Sequence, residues 1–204
     1  MRVLKCFINF DKEEKWLNEM AQKGYELEKA GFGYKFHAAE PEDAVIRIDY
    51  RTFNSQKNFV DYCTLFEDSG WKHVAGSKWS GTQYFKKIAV DGGEDDIFSD
   101  VGSKAGKYKR LSNTWMVLAI AYMPLFSMLI SEGKFKVLVN PKLLYLSPGL
   151  WNDTGAVFWG RFLFETPFAI MRGFPCLFFP FAIILYLYFA FKAKALYYKQ
   201  IKAN

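Results

Sequence analysis

The first residues of the chain alternate between apolar and polar side chains, and a helical pattern follows them. Residues 3–10 alternate with a period of two, which predicts a half-buried strand. Asp11 and Glu14 form a helix start of the capping-box type, and residues 16–21 then carry apolar side chains at helical spacing until Gly24 ends the helix. The pattern therefore predicts a strand followed by an amphipathic helix.

A predicted hairpin completes this first unit, and the same order of elements then recurs. Residues 25–29 and 32–37 alternate around two glycines, which predicts two paired strands. The second set comprises a strand at 44–52, a helix capped by Ser55 and ended by Gly70, and hairpin strands at 71–76 and 82–88. Because the helix and turn residues of the two sets align, residues 1–90 are interpreted as a duplicated βαββ domain.

Two units of this size are expected to share one sheet. Each alone has one helix and three short strands, too little to bury both a sheet face and a helix face. We therefore predict an α+β fold, a ferredoxin-like two-layer sandwich with both helices on one face. The opposite face would be open, either as a solvated surface or as a surface for a ligand or partner, and its run of alternating charges could equally be a structural salt-bridge ladder. The candidate ligand- or partner-binding residues on that face are Arg47, Asp49, Arg51 and Phe7.

The second half of the chain has the hydrophobic pattern of a membrane protein. After a linker and juxtamembrane segment at 91–112, two runs at 113–131 and 174–192 are almost free of charge. About 18 uncharged residues make roughly 27 Å of helix, enough to cross a bilayer core. These runs predict a transmembrane helical hairpin in a membrane domain at 113–204. Residues 155–171 predict an outer interfacial helix, with a third span as the alternative.

Basic residues flank the apolar runs. They precede the first run and follow the last one, which predicts a multi-pass protein of the cell membrane with cytoplasmic N- and C-termini. In the membrane half, Arg161 and Glu165 lie one helical turn apart and could pair on a single helix face. The residues predicted to contact the membrane surface are Lys104, Lys107, Lys109 and Arg110.

Motifs for catalysis or metal binding are not found in the sequence. The three cysteines are far apart, and neither His37 nor His73 has a cysteine or an acid cluster beside it at metal-ligand spacing. The net charge is +6, but the lysines alternate with acidic residues in the first half and concentrate beside the apolar segments instead, so nucleic-acid binding is not expected. The sequence predicts a protein that is not an enzyme and has no cofactor and no metal site.

Five segments resemble a known family. They are WLNEMAQKGYEL, GYKF, VIRIDYR, LFEDSGWKHV and IFSDVGSKAGKYKRL, and together they are similar to the bacterial domain-of-unknown-function family numbered 2812 over about the first 110 residues. The resemblance implies a cytoplasmic domain followed by membrane helices, and a connection to PadR-like transcriptional regulators encoded nearby. It implies no catalytic residues.

Three functions follow as hypotheses. The leading one is a membrane-anchored sensor or regulatory protein whose cytoplasmic domain binds a protein partner or a small ligand, in an envelope-stress or drug response. The expected partners are the lipid bilayer and either another protein or a second copy of the chain. The alternative is a small transporter or transporter subunit that acts through its membrane helices. The third and weakest hypothesis uses the open sheet face as a nucleic-acid platform.

Overall fold

The computed structural model describes residues 1–88 and 96–202. The chain divides into two compact units. One unit combines Met1–Asn113 with Phe189–Asn204, and the other comprises Thr114–Tyr188. Most of the acidic part of the predicted linker, residues 91–95, lies outside the described residues.

The first unit is a mixed α/β domain with two three-stranded antiparallel sheets. The strand order is β1-β3-β2 in one sheet and β4-β6-β5 in the other. The single shared sheet of the sequence prediction is therefore replaced by two separate hydrogen-bonded sheets. The elements are β1 Arg2–Val3, α1 Phe10–Gln22, β2 Tyr25–Gly31, β3 Gly33–Ala38, β4 Ile46–Tyr50, α2 Gln56–Asp68, β5 Trp71–Ala75 and β6 Thr82–Lys87.

The two helices lie on opposite faces of the second sheet. Tyr84 of β6 donates a hydrogen bond to Glu13 of α1, whereas the next residue, Phe85, contacts the rings of two α2 residues, Tyr62 and Phe66. Successive side chains of a strand point to opposite faces, so α1 and α2 cover different sides. The sequence predicted that both helices lie on one face and that the other face is open. In the structure α2 covers the face that was expected to be open.

The first strand is much shorter than its alternating pattern predicts. β1 ends at Val3, and α1 begins at Phe10 with Asn9 as its N-cap. The Asn9 side chain accepts hydrogen bonds from the backbone N–H of Asp11 at 2.9 Å and of Lys12 at 3.3 Å. Asn9 thus takes the capping role predicted for Asp11. The predicted Ser55 cap of α2 is confirmed, since its hydroxyl accepts from the N–H of Asn58 at 3.1 Å.

Side chains of α1 also satisfy the outer edge of β4. The backbone N–H groups of Ile46 and Ile48 point away from β6, and the side chains of Asn18 and Glu14 accept their hydrogen bonds at 2.9 and 3.0 Å. An edge strand normally exposes such donors to solvent or to another strand. Here two side chains of α1 accept the hydrogen bonds that a neighbouring strand would otherwise accept.

Two long apolar helices dominate the second half. They are α3 Val101–Ser131 and α5 Gly155–Lys202, with a short α4 at Lys136–Val139 between them. Their most apolar 18-residue windows have mean hydropathies of 1.7 and 2.1, with 11% and 22% of those residues buried. A core helix of a soluble protein buries most of such a window. Both helices are therefore long and apolar enough to span a membrane, by length and composition.

The predicted interfacial helix at 155–171 is not a separate element. It is the first part of α5, which continues without a break through Pro167, Pro175 and Pro180. Proline is tolerated inside helices of this class because neighbouring groups satisfy the freed carbonyls. Residues 155–171 and 174–192 therefore form one continuous helix, and the placement of residues 155–171 on or across the membrane stays a prediction.

Candidate functional site

Among the described residues of the first unit three carboxylates are buried, and each is held by residues from other elements. Glu13 and Glu14 lie on α1, and Asp49 lies on β4. A buried charge is costly unless it is paired and hydrogen-bonded, and breaking such a pair is strongly destabilising. Among the described residues, every buried side-chain nitrogen and oxygen has a hydrogen-bond partner. These three groups therefore form the most specific polar arrangement of the domain.

Glu14 connects α1 to the beginning of α3. Its Oε1 lies 2.8 Å from the Lys107 ammonium and also accepts the hydrogen bond from the N–H of Ile48. The Lys107 side chain is only 1% exposed, and its ammonium lies 5.6 Å from the centre of the Phe10 ring. Arg47 adds a second cation at 3.9 Å from Glu14. One carboxylate thus joins α1, β4 and α3.

Asp49 makes a parallel connection on the other face of β4. It accepts hydrogen bonds from the Tyr62 hydroxyl at 2.8 Å and from the Tyr50 N–H at 2.7 Å, and it pairs with Arg110 of α3. Arg110 also donates to the backbone carbonyl of Tyr50. Between these two ionic contacts Tyr108 is fully buried and stacks on Phe10 with ring centres 5.1 Å apart. The first turns of α3 are therefore built into the folded domain.

Glu13 joins the two sheets. The hydroxyls of Tyr34 in the first sheet and Tyr84 in the second both donate to its Oε1 at 2.7 Å. Burial raises the pKa of the Glu13 carboxyl above its ordinary value of 4.5, and the two tyrosine hydrogen bonds offset part of that effect. Burial and the nearby carboxylate also raise the pKa of both tyrosines, so they remain donors.

Replacing Glu13 with Gln is expected to reduce the pH dependence of stability. Because the folded state holds the Glu13 proton more tightly than the unfolded state, its stabilisation is complete below pH 4.5 and is lost as the pH rises through the raised folded pKa. The Tm of the wild type should therefore fall relative to that of Glu13→Gln as the pH rises above 4.5. The amide oxygen of Gln can still accept both tyrosine hydrogen bonds.

The matched control for this experiment is Glu19→Gln, on the exposed side of the same helix. Thermal unfolding of the three proteins in one detergent across the pH series gives the comparison. A constant Tm difference between the wild type and Glu13→Gln would contradict the role of Glu13 as a buried titrating group.

The predicted open-face residues are not brought together as an open site. Asp49 is buried under α2, and Arg51 stacks on the Tyr62 ring with its guanidinium carbon 5.4 Å from the ring centre. Phe7 is half-buried and lies 5.4 Å from the Trp16 ring. Arg47 lies beside Glu14 and lines a surface groove. Asp49 and Phe7 are thus packed within the domain, and the ligand- or partner-binding role of the four residues stays a prediction.

The four basic residues before the apolar run also have different surroundings. Lys107 is buried against Glu14, Arg110 pairs with Asp49, and Lys104 lies 2.6 Å from Asp96. Lys109 is exposed. The complete burial of Lys107 removes its charge from any lipid surface. Lys107 instead contacts Glu14 of α1, and the membrane-surface role of the four residues stays a prediction.

Comparison with known protein families identifies the chain. A family model described as protein of unknown function, DUF2812, matches residues 9–120. The chain belongs to the DUF2812 family. Comparisons with curated proteins and with solved structures give no match.

The DUF2812 region contains all of the ionic contacts described above. It begins at the N-cap Asn9 and extends past Arg110 into the apolar part of α3. The matched region is therefore not the α/β domain alone, because it includes the helix that the buried carboxylates hold. The resemblance inferred from the sequence is confirmed, including the apolar helices that follow the domain.

Arg161 and Glu165 lie outside the DUF2812 region and do not pair with each other. Arg161 pairs with Asp153 and donates to the carbonyl of Pro148 at 2.7 Å. Glu165 accepts from the N–H of Ser147 at 2.9 Å and pairs with Arg172 at 2.9 Å. The possible pair is not formed in the structure, because the segment before α5 supplies closer partners for both side chains. This arrangement gives no specific support to the transporter hypothesis.

Sequence reasoning missed the burial of Glu13 and Glu14, although a signal for it exists. Phe10, Leu17 and Met20 form the apolar stripe of α1, and positions 13 and 14 fall on that stripe at i+3 and i+4. Two adjacent acids on the apolar face of a helix indicate a buried polar contact. Their partners come from other elements and could not be identified from α1.

The described residues contain no group of three or more metal-ligating side chains placed to hold a metal ion. His37 lies 3.1 Å from Glu26 at the surface, and His73 lies 3.0 Å from the Gln83 side chain. Burial lowers the pKa of His73, which favours its neutral form. Cys6, Cys63 and Cys176 are free thiols.

Proposed function

We propose that this DUF2812 protein is a membrane-anchored regulatory protein without catalytic activity, whose cytoplasmic domain binds a protein partner or a small ligand. The observation that carries the proposal is the continuity of α3. Its first turns are held in the domain by the Lys107–Glu14 and Arg110–Asp49 contacts, and the same helix runs on to Ser131 as an apolar segment. Binding energy at the domain can thus act directly on a membrane helix.

The end of α5 supports an arrangement with both termini on the cytoplasmic side. Residues Phe189–Asn204 belong to the same compact unit as the N-terminal domain. The Gln200 amide donates to Asp11 at 2.6 Å, and the Ser112 hydroxyl donates to the carbonyl of Ala190 at 2.9 Å. A chain that leaves this unit through α3 and returns to it through α5 crosses a bilayer an even number of times.

A polar groove on α1 is the proposed ligand or partner site. Its volume is about 560 Å³, and it lies directly beside the Glu14–Lys107 contact. A molecule bound there would change the surroundings of the ion pair that holds α3. The lining residues are Asp11, Glu14, Lys15, Asn18, Glu19, Gln22, Arg47, Lys104 and Gln200.

Membrane anchoring is tested first. Native membranes are washed with alkaline carbonate, and the C-terminus is fused in turn to a fluorescent protein that matures in the cytoplasm and to a phosphatase that is active outside it. The expected result is retention in the membrane, fluorescence and no phosphatase activity. Release of the protein by the wash without detergent would refute the anchoring.

Partner binding is tested by chemical cross-linking in native membranes with the wild type, Arg47→Glu and Lys57→Glu. Arg47 lines the groove, whereas Lys57 is exposed on α2, so the two variants carry the same charge reversal at different surfaces. Loss of a specific adduct in Arg47→Glu and its retention in Lys57→Glu is expected. Identical adducts in all three proteins would rule out the groove as the partner site.

We also propose that the domain arose by duplication of a βαββ unit, as in a ferredoxin-like repeat. Support comes from the matching strand orders of the two sheets and from glycines with φ of 80° and 82° after the two helices, Gly24 and Gly70. The register irregularities also correspond, between Leu27 and Lys29 in β2 and between His73 and Ala75 in β5. An experimental structure without these matching bulges would contradict the duplication.

A further inference from the structure

The loop between β5 and β6 exposes a tryptophan. Trp79 is 78% exposed at the tip of this hairpin, and the ammonium of Lys78 lies 4.7 Å from the centre of its ring. Large aromatic side chains are normally buried in small domains. An exposed indole beside a lysine has the chemistry of residues at a membrane–water interface, where Trp and Lys are both enriched.

The tip has a defined conformation because a buried side chain holds it. Gln83 is fully buried, and its amide nitrogen lies 2.7 Å from the carbonyl of Ser77 and 3.0 Å from that of Ser80. The Gln83 oxygen lies 3.0 Å from His73 Nε2. Gly76 has φ of +118°, and a Cβ there would approach the Gln83 oxygen to 2.3 Å. The domain thus holds Trp79 outward in a fixed loop.

The tip is hydrogen-bonded to the end of β4, which Arg110 of α3 also contacts. The N–H of Arg51 donates to the carbonyl of Gly81 at 2.7 Å, so the tip lies against the end of β4. Arg110 of α3 donates to the carbonyl of the preceding residue, Tyr50. Arg110 lies about one helical turn, or about 5.4 Å along the axis, before Thr114, where the uncharged run begins.

From these observations we propose that the β5–β6 tip, residues 77–81, is a contact site for anionic phospholipid headgroups. The indole of Trp79 lies in the interfacial layer, and Lys78 and the exposed Arg51 supply the complementary charge. The neighbouring Asp49 does not oppose this attraction, because it is buried and paired with Arg110. The site gives the domain a second attachment to the membrane besides α3. The proposal rests on the membrane anchoring in the proposed function.

The test uses the full chain labelled with 5-fluorotryptophan in lipid nanodiscs that carry a headgroup nitroxide. The chain has six tryptophans, and single Trp→Phe variants assign their fluorine resonances. Trp115 at the start of the apolar run reports on anchoring, and Trp71, which is buried, reports on the domain interior. In phosphatidylglycerol nanodiscs, broadening of the Trp79 signal is expected to exceed that of Trp71 severalfold, and to be weaker in phosphatidylcholine.

A charge variant separates headgroup recognition from chance proximity. Lys78→Ala is expected to lower the ratio of bound to free tip about fivefold in phosphatidylglycerol, whereas Lys57→Ala on α2 leaves it unchanged. A broadened Trp115 with a Trp79 signal as sharp as that of Trp71 would overturn the inference and leave the anchoring intact. An unbroadened Trp115 would refute the anchoring and the inference with it. Equal Trp79 broadening in both lipids would refute recognition of anionic headgroups.

Discussion

Replacing Lys107 with Met is expected to destabilise the domain by about 3–5 kcal/mol, because it leaves the Glu14 charge buried without its main partner. The Lys107 side chain is 1% exposed and that of Glu14 is 9% exposed, so water cannot replace the lost ammonium without opening the structure. Arg47, at 3.9 Å from Glu14, is too distant for a hydrogen bond of normal length. Unfolding of the detergent-solubilised protein, followed by circular dichroism, measures the loss.

Two variants make this prediction specific. Lys109→Met removes the same charge from an exposed position two residues later, and it is expected to change stability by less than about 0.5 kcal/mol. The double variant Glu14→Gln with Lys107→Met is expected to regain much of the stability, since Gln carries no charge but can still accept from the Ile48 N–H. Equal stability of Lys107→Met and Lys109→Met would show that the buried pair is not formed.

The same variant should also release the beginning of α3. The Ile48 N–H donates to the carboxylate that Lys107 holds, so its hydrogen exchange is a local measure of the contact. We expect faster exchange at Ile48 and in the first turns of α3 in Lys107→Met. Unchanged exchange in these segments would argue against the transmission of binding energy from the domain to α3.

Replacing Phe85 with Ala is the second large expected effect, a loss of about 3–5 kcal/mol. Phe85 is fully buried between β6 and α2, where it contacts Tyr62 and Phe66 with ring centres 5.7 and 4.4 Å away. Removing the ring leaves a cavity that the surrounding aromatic side chains fill only in part. The buried members of this cluster are Phe53, Tyr62, Trp71 and Phe85.

Phe32→Ala is the matched control for this substitution. Phe32 lies at the turn between β2 and β3 and is completely exposed, so truncating it removes a ring of the same size that has no core contact. Its effect on the free energy of unfolding should stay within about 0.5 kcal/mol. Similar losses for the two variants would mean that α2 does not cover the Phe85 side of the second sheet.

The hairpins show which local elements were predictable. The alternation at 25–37 and 71–88, with glycines at the turns, located β2, β3, β5 and β6 within one or two residues. The alternation at 3–10 was equally regular, yet of these residues only Val3 lies in a strand, β1. The alternation of side chains does not show whether a neighbouring strand is available for hydrogen bonding. Here Asn9 instead caps the start of α1.

The residues of the candidate site could be chosen from the sequence, but their contacts could not be predicted from it. Arg47, Asp49 and Arg51 alternate along a strand, and this pattern alone predicts one open face. Whether that face is covered depends on where α2 packs. The hydrogen bond from Tyr62 of α2 to Asp49 of β4 shows that α2 covers it. Lys107 likewise resembled a juxtamembrane lysine until its distance to Glu14, 93 positions earlier in the chain, was known.

The amino-acid pattern determined the order of the strands and helices, the change from a mixed domain to long apolar helices, and the family. These features depend on residues close together in the chain, and the helix and strand periods encode them directly. Tertiary structure decided that the strands form two sheets, that α1 and α2 take opposite faces, and that α3 starts inside the domain. Those outcomes depend on which buried charges find partners, and the partners lie tens of residues apart.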